Sequence, residues 1–280
     1  MKRPGRAKIE VALLLLFPTG FLVIFFVLPL LNSAGVSLEL PNATVASYRR
    51  LMEVPVYGRV YLNTLRIATV TTLICLILGY PCAYYIASLP KRQRTIVVAL
   101  IALPFMLSVL VRNYVWMTLL QDTGLINRTL LRAGWISSPI PLMHNEVGVL
   151  IAMSNMLVPY IIFPVLSALL AIPRDLELAS ASLGADRLRG FLTVTLPLTA
   201  TGTAAGCLLT FIVALGFYIT PAMLGGPREM MLSNLIAFNI RDVLNWPLAF
   251  ALSTTLLAST IALYFVYRAL LPSATVIRPL

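Results

Sequence analysis

Six apolar runs, each long enough to cross a lipid bilayer, constrain this chain more than any other feature: residues 11–31, 60–89, 96–120, 147–172, 201–224 and 248–271. A helix needs about 20 residues to span the hydrocarbon layer, where backbone polar groups must find partners within the protein. The reading is an all-α integral membrane protein with six transmembrane helices. Composition agrees, with 59% hydrophobic residues, 11% charged residues and a mean hydropathy of +0.91, against about a quarter charged in soluble domains. Prolines 18, 29, 81, 104, 159, 164 and 221 punctuate the runs. Packed membrane helices tolerate them because neighbours re-satisfy the freed carbonyls.

The expected organisation is an N-terminal tail over 1–10, a six-helix domain over 11–272 containing a charged loop at 173–199, and a C-terminal tail over 273–280. Lys2, Arg3, Arg6 and Lys8 precede the first run, which is longer than the apolar part of a cleaved signal peptide and reads as a retained anchor. The net charge of +11 does not form basic stripes interleaved with aromatics, so no nucleic-acid partner follows. It marks topology instead. Twelve Lys and Arg residues gather on one side (2, 3, 6, 8, 91, 92, 94, 174, 187, 189, 268 and 278) and seven on the other (49, 50, 59, 128, 132, 228 and 241). By the positive-inside rule, both termini and the 173–199 loop face the cytoplasm.

Enzyme motifs are missing. The chain has no G-x-x-x-x-G-K-[ST], H-E-x-x-H or G-x-S-x-G, and its single histidine, His144, falls in an external loop. Cys75, Cys82 and Cys207 lie inside apolar runs without metal-ligand spacing and read as small buried side chains, so no metal site is expected. The protein is therefore not read as an enzyme. Any nucleotide-driven work requires nucleotide to bind on another chain.

The 173–199 loop is amphipathic. Pro173 ends the preceding helix, Asp175 can cap a new one, and Gly184 stands where a short helix requires a residue of positive φ. Leu176, Ala179 and Leu183 share one face at i, i+3 and i+7, and Asp186 can cap a second segment carrying Leu188 and Leu192 before Pro197. A helix this short is marginal alone. Its apolar face needs a cover, and a protein surface and the lipid headgroup layer both fit.

Ala179, Gly184, Val194 and Pro197 resemble the "EAA" loop of ATP-binding-cassette importer permeases, in which the glycine is followed by an aliphatic residue ten positions later and by proline thirteen later. The chain departs from that pattern at Leu178 and Ser180, where the family has Glu and Ala, and carries Glu177 one position early. Further segments resemble the spermidine and putrescine permeases: Asn63-Thr-Leu-Arg66, Gly79-Tyr-Pro-Cys-Ala-Tyr84, Leu103-Pro104, Leu110-Val-Arg-Asn-Tyr-Val-Trp116, Thr220-Pro-Ala-Met-Leu-Gly-Gly226 and Asn245-Trp-Pro-Leu248.

The resemblance implies a type I ABC importer permease fold in a bacterial inner membrane. The implied partners are a second permease subunit, two ATP-binding cassette subunits holding ATP and Mg, and an extracytoplasmic solute-binding protein, with no cofactor on this chain. It places ATPase coupling on Leu176, Glu177, Leu178, Ala179, Ser180, Leu183, Gly184, Ala185, Asp186 and Pro197, and puts a polyamine or related amine first among small polar solutes.

Path candidates are Tyr80, Tyr84, Arg112, Trp116, Asn155, Tyr160, Tyr218 and Asn234, since aromatic rings attract amine cations; the same side chains also seal helix contacts. If its helix starts near Thr95, Arg112 lies roughly 25 Å along it, near the outer face. Pairing with Asp122 or with carbonyls then suits it better than touching a cation, and Arg66 occupies a similar position. Two other readings remain. An ion-coupled secondary transporter would need carboxylates at mid-membrane, whereas the Asp and Glu residues lie in loops or at helix ends. The other is a membrane scaffold presenting the loop to a soluble enzyme.

Overall fold

The computed structural model describes residues 14–39 and 44–270, without the side chains of Arg174, Glu177 and Leu270. The expected tails over 1–10 and 273–280, with Lys2, Arg3, Arg6, Lys8 and Arg278, lie outside the described residues. All regular structure among the described residues is helical: α1 (Leu14–Ser37), α2 (Ala46–Glu53), α3 (Pro55–Ser88), α4 (Lys91–Ala102), α5 (Val109–Leu120), α6 (Leu125–Arg132), α7 (Glu146–Leu170), α8 (Arg174–Ser182), α9 (Arg187–Leu215), α10 (Ile219–Leu224), α11 (Leu232–Arg241) and α12 (Trp246–Leu270), with short 3₁₀ turns between some of them. Among the described residues, five helices are long and apolar enough to cross a membrane, and a pair bent by 96° makes six if it is counted as one broken span.

That pair corrects the third run. Residues 96–120 read as one helix, yet the chain breaks between Met106 and Val109 and turns by 96°. Pro104 cannot donate to the helical ladder, the chain tightens into a 3₁₀ turn over Leu103–Met106, and Leu107 and Ser108 are extended. Arg112 therefore begins a new helix and is not 25 Å along an old one.

The fifth run is also displaced. α9 starts at Arg187, far before residue 201, and ends at Leu215 against Gly216, so 219–224 is the separate helix α10. Pro197 does not stop α9. A π-turn over Phe191–Thr195 widens the ladder just before it, as another over Val23–Val27 does before Pro29 in α1.

Among the described residues the chain packs as two compact units, 14–39 and 44–58 with 235–258, and 59–234 with 259–270. In the first, Tyr48 Oη lies 2.8 Å from Ser37 Oγ and 2.6 Å from Thr254 Oγ1, which ties α1, α2 and α12 together. Glu39 accepts from Thr44 and Ser47. None of the most apolar stretch of α1 is buried within the chain.

The second unit is built around α7, whose most apolar stretch is 61% buried, against 39% for α3 and 28% for α9. Val149, Ala152, Met153, Met156, Leu157, Ile161 and Val165 are enclosed. On one side α3 approaches so closely that a Cβ on Gly79 would lie 3.0 Å from Ile161, and Cys75 Sγ reaches Ser154 O at 3.5 Å. On the other lies α9, through Gly202 and Gly206. Cys75 is buried as expected, whereas Cys82 and Cys207 are only half-buried.

Asn127 of α6 is fully buried and staples the connection that leads to α7. Its amide donates to Ile140 O (2.9 Å) and Gln121 O (3.4 Å), and its Oδ1 accepts from Ile140 N (2.8 Å). Asn127→Leu leaves these backbone groups unmatched and is expected to cost about 3 kcal/mol, read as a lower melting temperature of the purified protein in detergent. An unchanged melting temperature would count against the staple.

Candidate functional site

The 173–199 segment forms two capped pieces joined by a sharp turn. Helix α8 begins after Pro173, two residues earlier than a cap at Asp175 implies, so Asp175 sits inside its first turn. At the other end Gly184 takes φ +81°, Gly184 N donates to Ala181 O (3.0 Å) and Ala185 N to Ser180 O (3.1 Å). These bonds make a Schellman turn, which satisfies carbonyls that the helix end would leave orphaned. Asp186 then caps α9, its side chain accepting from Arg189 N at 2.7 Å.

The apolar face of this segment is bare. Leu183 is 89% exposed, and Leu176, Leu178, Leu188 and Leu192 are exposed as well. Ala179 is exposed, and Ser180 and Ala185 are half-buried. Glu177 lies on α8, its side chain outside the described set. Covering a leucine is worth roughly 1.5–3 kcal/mol, so five exposed leucines are a large incentive to bind. Beneath them, a cleft of about 700 Å³ is lined by Ser180, Ala181, Ala185, Asp186 and Phe191 together with Tyr84 and Ser88 of α3. The C-terminal end of α3 and helix α8 therefore share one end of this unit.

Tyr80 and Tyr84 lock this segment to α3. Both rings meet Phe191 edge to face, with centroids 5.9 and 5.5 Å away, and Tyr80 Oη lies 2.8 Å from Thr199 Oγ1. Both tyrosines thus pack on the 173–199 segment. Tyr160 packs edge to face on Phe105, at 5.5 Å, beside the break between α4 and α5.

At the opposite end, Asn63 Nδ2 donates to Arg228 O and Met230 O (3.1 Å each), and Leu232 N donates to Thr64 Oγ1 (2.8 Å). Arg66 forms an ion pair with Glu146 at the start of α7. Asn234 holds the same loop, donating to Tyr218 O (3.0 Å) and accepting from Met231 N (3.3 Å). Asn234 and the Tyr218 backbone thus shape the α9–α11 connection.

Trp116 and Asn155 do come together. Trp116 Nε1 donates to Asn155 Oδ1 at 3.3 Å on the wall of a second cleft, of about 550 Å³, between α3, α5 and α7. Arg112 is not part of it. The guanidinium is half-buried with Nε enclosed and unbonded, and its expected partner Asp122 is exposed and makes no ion pair with it.

The sequence did not single out Phe191 and Phe105, which pack on Tyr80, Tyr84 and Tyr160, or the Gly202–Gly206 contact. A signal for the last was present: G-x-x-x-G in a membrane helix marks a close helix approach.

Residues 59–276 match the family described as binding-protein-dependent transport system inner membrane component. The spermidine/putrescine transport system permease protein PotB of Escherichia coli (strain K12) is 34% identical over 245 residues, 85% of this chain and 89% of its own. Its namesake from Haemophilus influenzae is 32% identical over 268 residues, 93% of this chain and 92% of its own. Among solved structures, a chain of a bacterial ABC transporter involved in the import of the acidic polysaccharide alginate superposes with a TM-score of 0.76 at 18% identity, covering 95% of this chain and 96% of that one. A chain of the MetNI methionine ABC transporter in inward-facing conformations gives 0.52 at 18% identity, over 76% and 91%. At that identity the structures speak for the fold alone, which is that of ABC importer permeases.

Proposed function

Because the chain belongs to the binding-protein-dependent transport system inner membrane component family, we propose that it forms half of the translocation path of an ATP-driven importer whose substrate is a polyamine or a closely related amine. It is a multi-pass inner membrane protein and a transport subunit. The observation that carries the amine is the identity to spermidine/putrescine permeases along 85% or more of the chain.

In this reading α8 docks its exposed leucines on an ATP-binding cassette subunit at the cytoplasmic side, where both termini also lie. ATP and Mg belong to two such subunits, a second permease completes the path, and an extracytoplasmic protein delivers the amine. Motion imposed on α8 passes through the Gly184 turn and the Asp186 cap into α9. From there it reaches α3 through Phe191 and Thr199, and α7 through Gly202 and Gly206. An ion-coupled secondary transporter is disfavoured because no carboxylate is among the buried polar residues described.

The test is reconstitution with the second permease, the ATPase subunits and the binding protein in liposomes. Uptake of radiolabelled spermidine or putrescine against a gradient should require ATP and every component. Uphill uptake by this chain under an ion gradient without the ATPase would sink the reading, as would a complete system that ignores amines.

A further inference from the structure

The cleft of about 700 Å³ between the end of α3 and the turn from α8 to α9 lies where the surface of the chain changes from apolar to charged. Tyr85 near the end of α3 and Leu196 and Leu198 on α9 are exposed, as on a surface that meets hydrocarbon. Lys91 and Arg92 follow α3 and Arg189 stands in the first turn of α9, all three exposed. Tyrosine and basic side chains at such a boundary mark the headgroup layer of a bilayer. The cleft wall carries both signs of charge. Asp186 and Arg187 are adjacent in the chain and both line it, yet neither forms an ion pair among the described residues. Asp186 spends Oδ1 on the Arg189 amide, which leaves Oδ2 open. Ser88 donates its hydroxyl to Tyr85 O at 2.7 Å and so offers lone pairs alone to a ligand. Tyr84 and Phe191 add ring surface.

We infer that this cleft holds the headgroup of a phospholipid that carries a primary amine beside its phosphate, a phosphoethanolamine. Its ammonium meets Asp186 Oδ2 and Ser88 Oγ, its phosphate meets the Arg187 guanidinium, and its glycerol end lies against Tyr84 and Phe191, from which the acyl chains enter the bilayer. The charges select this headgroup among membrane lipids. A purely anionic one sets its charge against Asp186, and a quaternary ammonium has no N–H with which to make the charge-assisted bond. Acyl chains anchored in the bilayer keep the headgroup concentrated at the cleft mouth, so a weak fit to each group suffices. Because the walls belong to α3, α8 and α9, the bound headgroup bridges the end of α3 and the Gly184 turn. The assignment needs only a membrane-spanning chain and stands whichever solute is carried.

The full chain in detergent, mixed with equal amounts of phosphatidylethanolamine, phosphatidylcholine and phosphatidylglycerol and read by native mass spectrometry, should retain phosphatidylethanolamine about tenfold over each of the others, the lower end of what a hydrogen bond to a charged group contributes. Soluble glycerophosphoethanolamine should not displace it. Asp186→Asn keeps a side chain that caps a helix but removes the charge, and should erase the preference. Arg187→Gln should lower retention of phosphatidylethanolamine by about tenfold for the same reason, whereas Arg92→Gln, outside the cleft, should not. In nanodiscs, hydrogen exchange at the amides of Gly184, Ala185 and Arg189 should slow severalfold when phosphatidylethanolamine replaces phosphatidylcholine. Equal retention of the three lipids, or a preference that survives Asp186→Asn, overturns the site. Displacement by the soluble headgroup makes the occupant a free solute and overturns the lipid. Loss of the lipid in Arg92→Gln as complete as in Arg187→Gln, or exchange at the three amides that ignores the lipid, places the headgroup elsewhere and overturns the cleft.

Discussion

Transport-linked ATP hydrolysis should fall by about tenfold or more when Gly184 becomes valine, while Gly184→Asn keeps most of it. The cause is conformational, because Gly184 sits at φ +81° and a Cβ built there meets nothing within 4 Å. A β-branched residue in that region is strained by about 1–3 kcal/mol, or roughly five- to 150-fold in the population of the turn. Asparagine visits the left-handed region with little penalty. Helix α8 is nine residues long and exposed, so it has little stability of its own to absorb the strain. Losing the bonds from Gly184 N and Ala185 N would unlatch the leucine face from α9. The melting temperature of the isolated subunit should barely move, since the segment is not part of its core. A valine variant that hydrolyses ATP at the wild-type rate in response to loaded binding protein would rule out the turn as the mechanical contact.

The Gly184 turn and the Asp186 cap were legible in the sequence because both are local: a handful of neighbouring residues specify them whatever the rest of the chain does. The count of six spans was legible for the same kind of reason, since bilayer thickness sets helix length. The break at Leu107–Ser108 was not. Pro104 resembles Pro81, yet α3 passes Pro81 unbroken while the chain at Pro104 turns by 96°; the difference lies in surroundings such as Phe105 against Tyr160 and Phe163. Arg187 and Arg189 read as part of a short segment capped by Asp186 and ending before Pro197, although they open the long helix α9, which passes Pro197 after a π-turn. Which aromatics line a cleft was the least legible. An aromatic in an apolar run looks the same whether it faces a cleft, as Trp116 does, or braces a neighbouring helix, as Tyr80 does.

The largest loss of folded protein is expected at Gly202. Between membrane helices the hydrophobic effect offers little, and association depends on how closely backbones approach. A Cβ on Gly202 would lie 2.6 Å from Ala168 Cβ and 3.0 Å from Pro164 O, whereas one on Gly206 would lie 3.3 Å from Tyr160 O and 3.4 Å from Ile161 Cα. The two glycines of one motif thus differ in tolerance. Gly206→Ala needs a shift of a few tenths of an ångström and should leave a folded, slightly less stable protein. Gly202→Val forces α9 off α7 and should cost about 3 kcal/mol, the upper range for overpacking, seen as loss of monodisperse protein in detergent and of assembly with partner subunits. Gly202→Ala should fall between them. Because its closest clash is with a single methyl group, Ala168→Gly should partly rescue it, so the double variant melts higher than Gly202→Ala alone, the non-additivity expected of residues in contact. If Gly202→Val accumulates and melts like the wild type, or Ala168→Gly gives no rescue, the α7–α9 seam is not what carries motion from the coupling segment into the core.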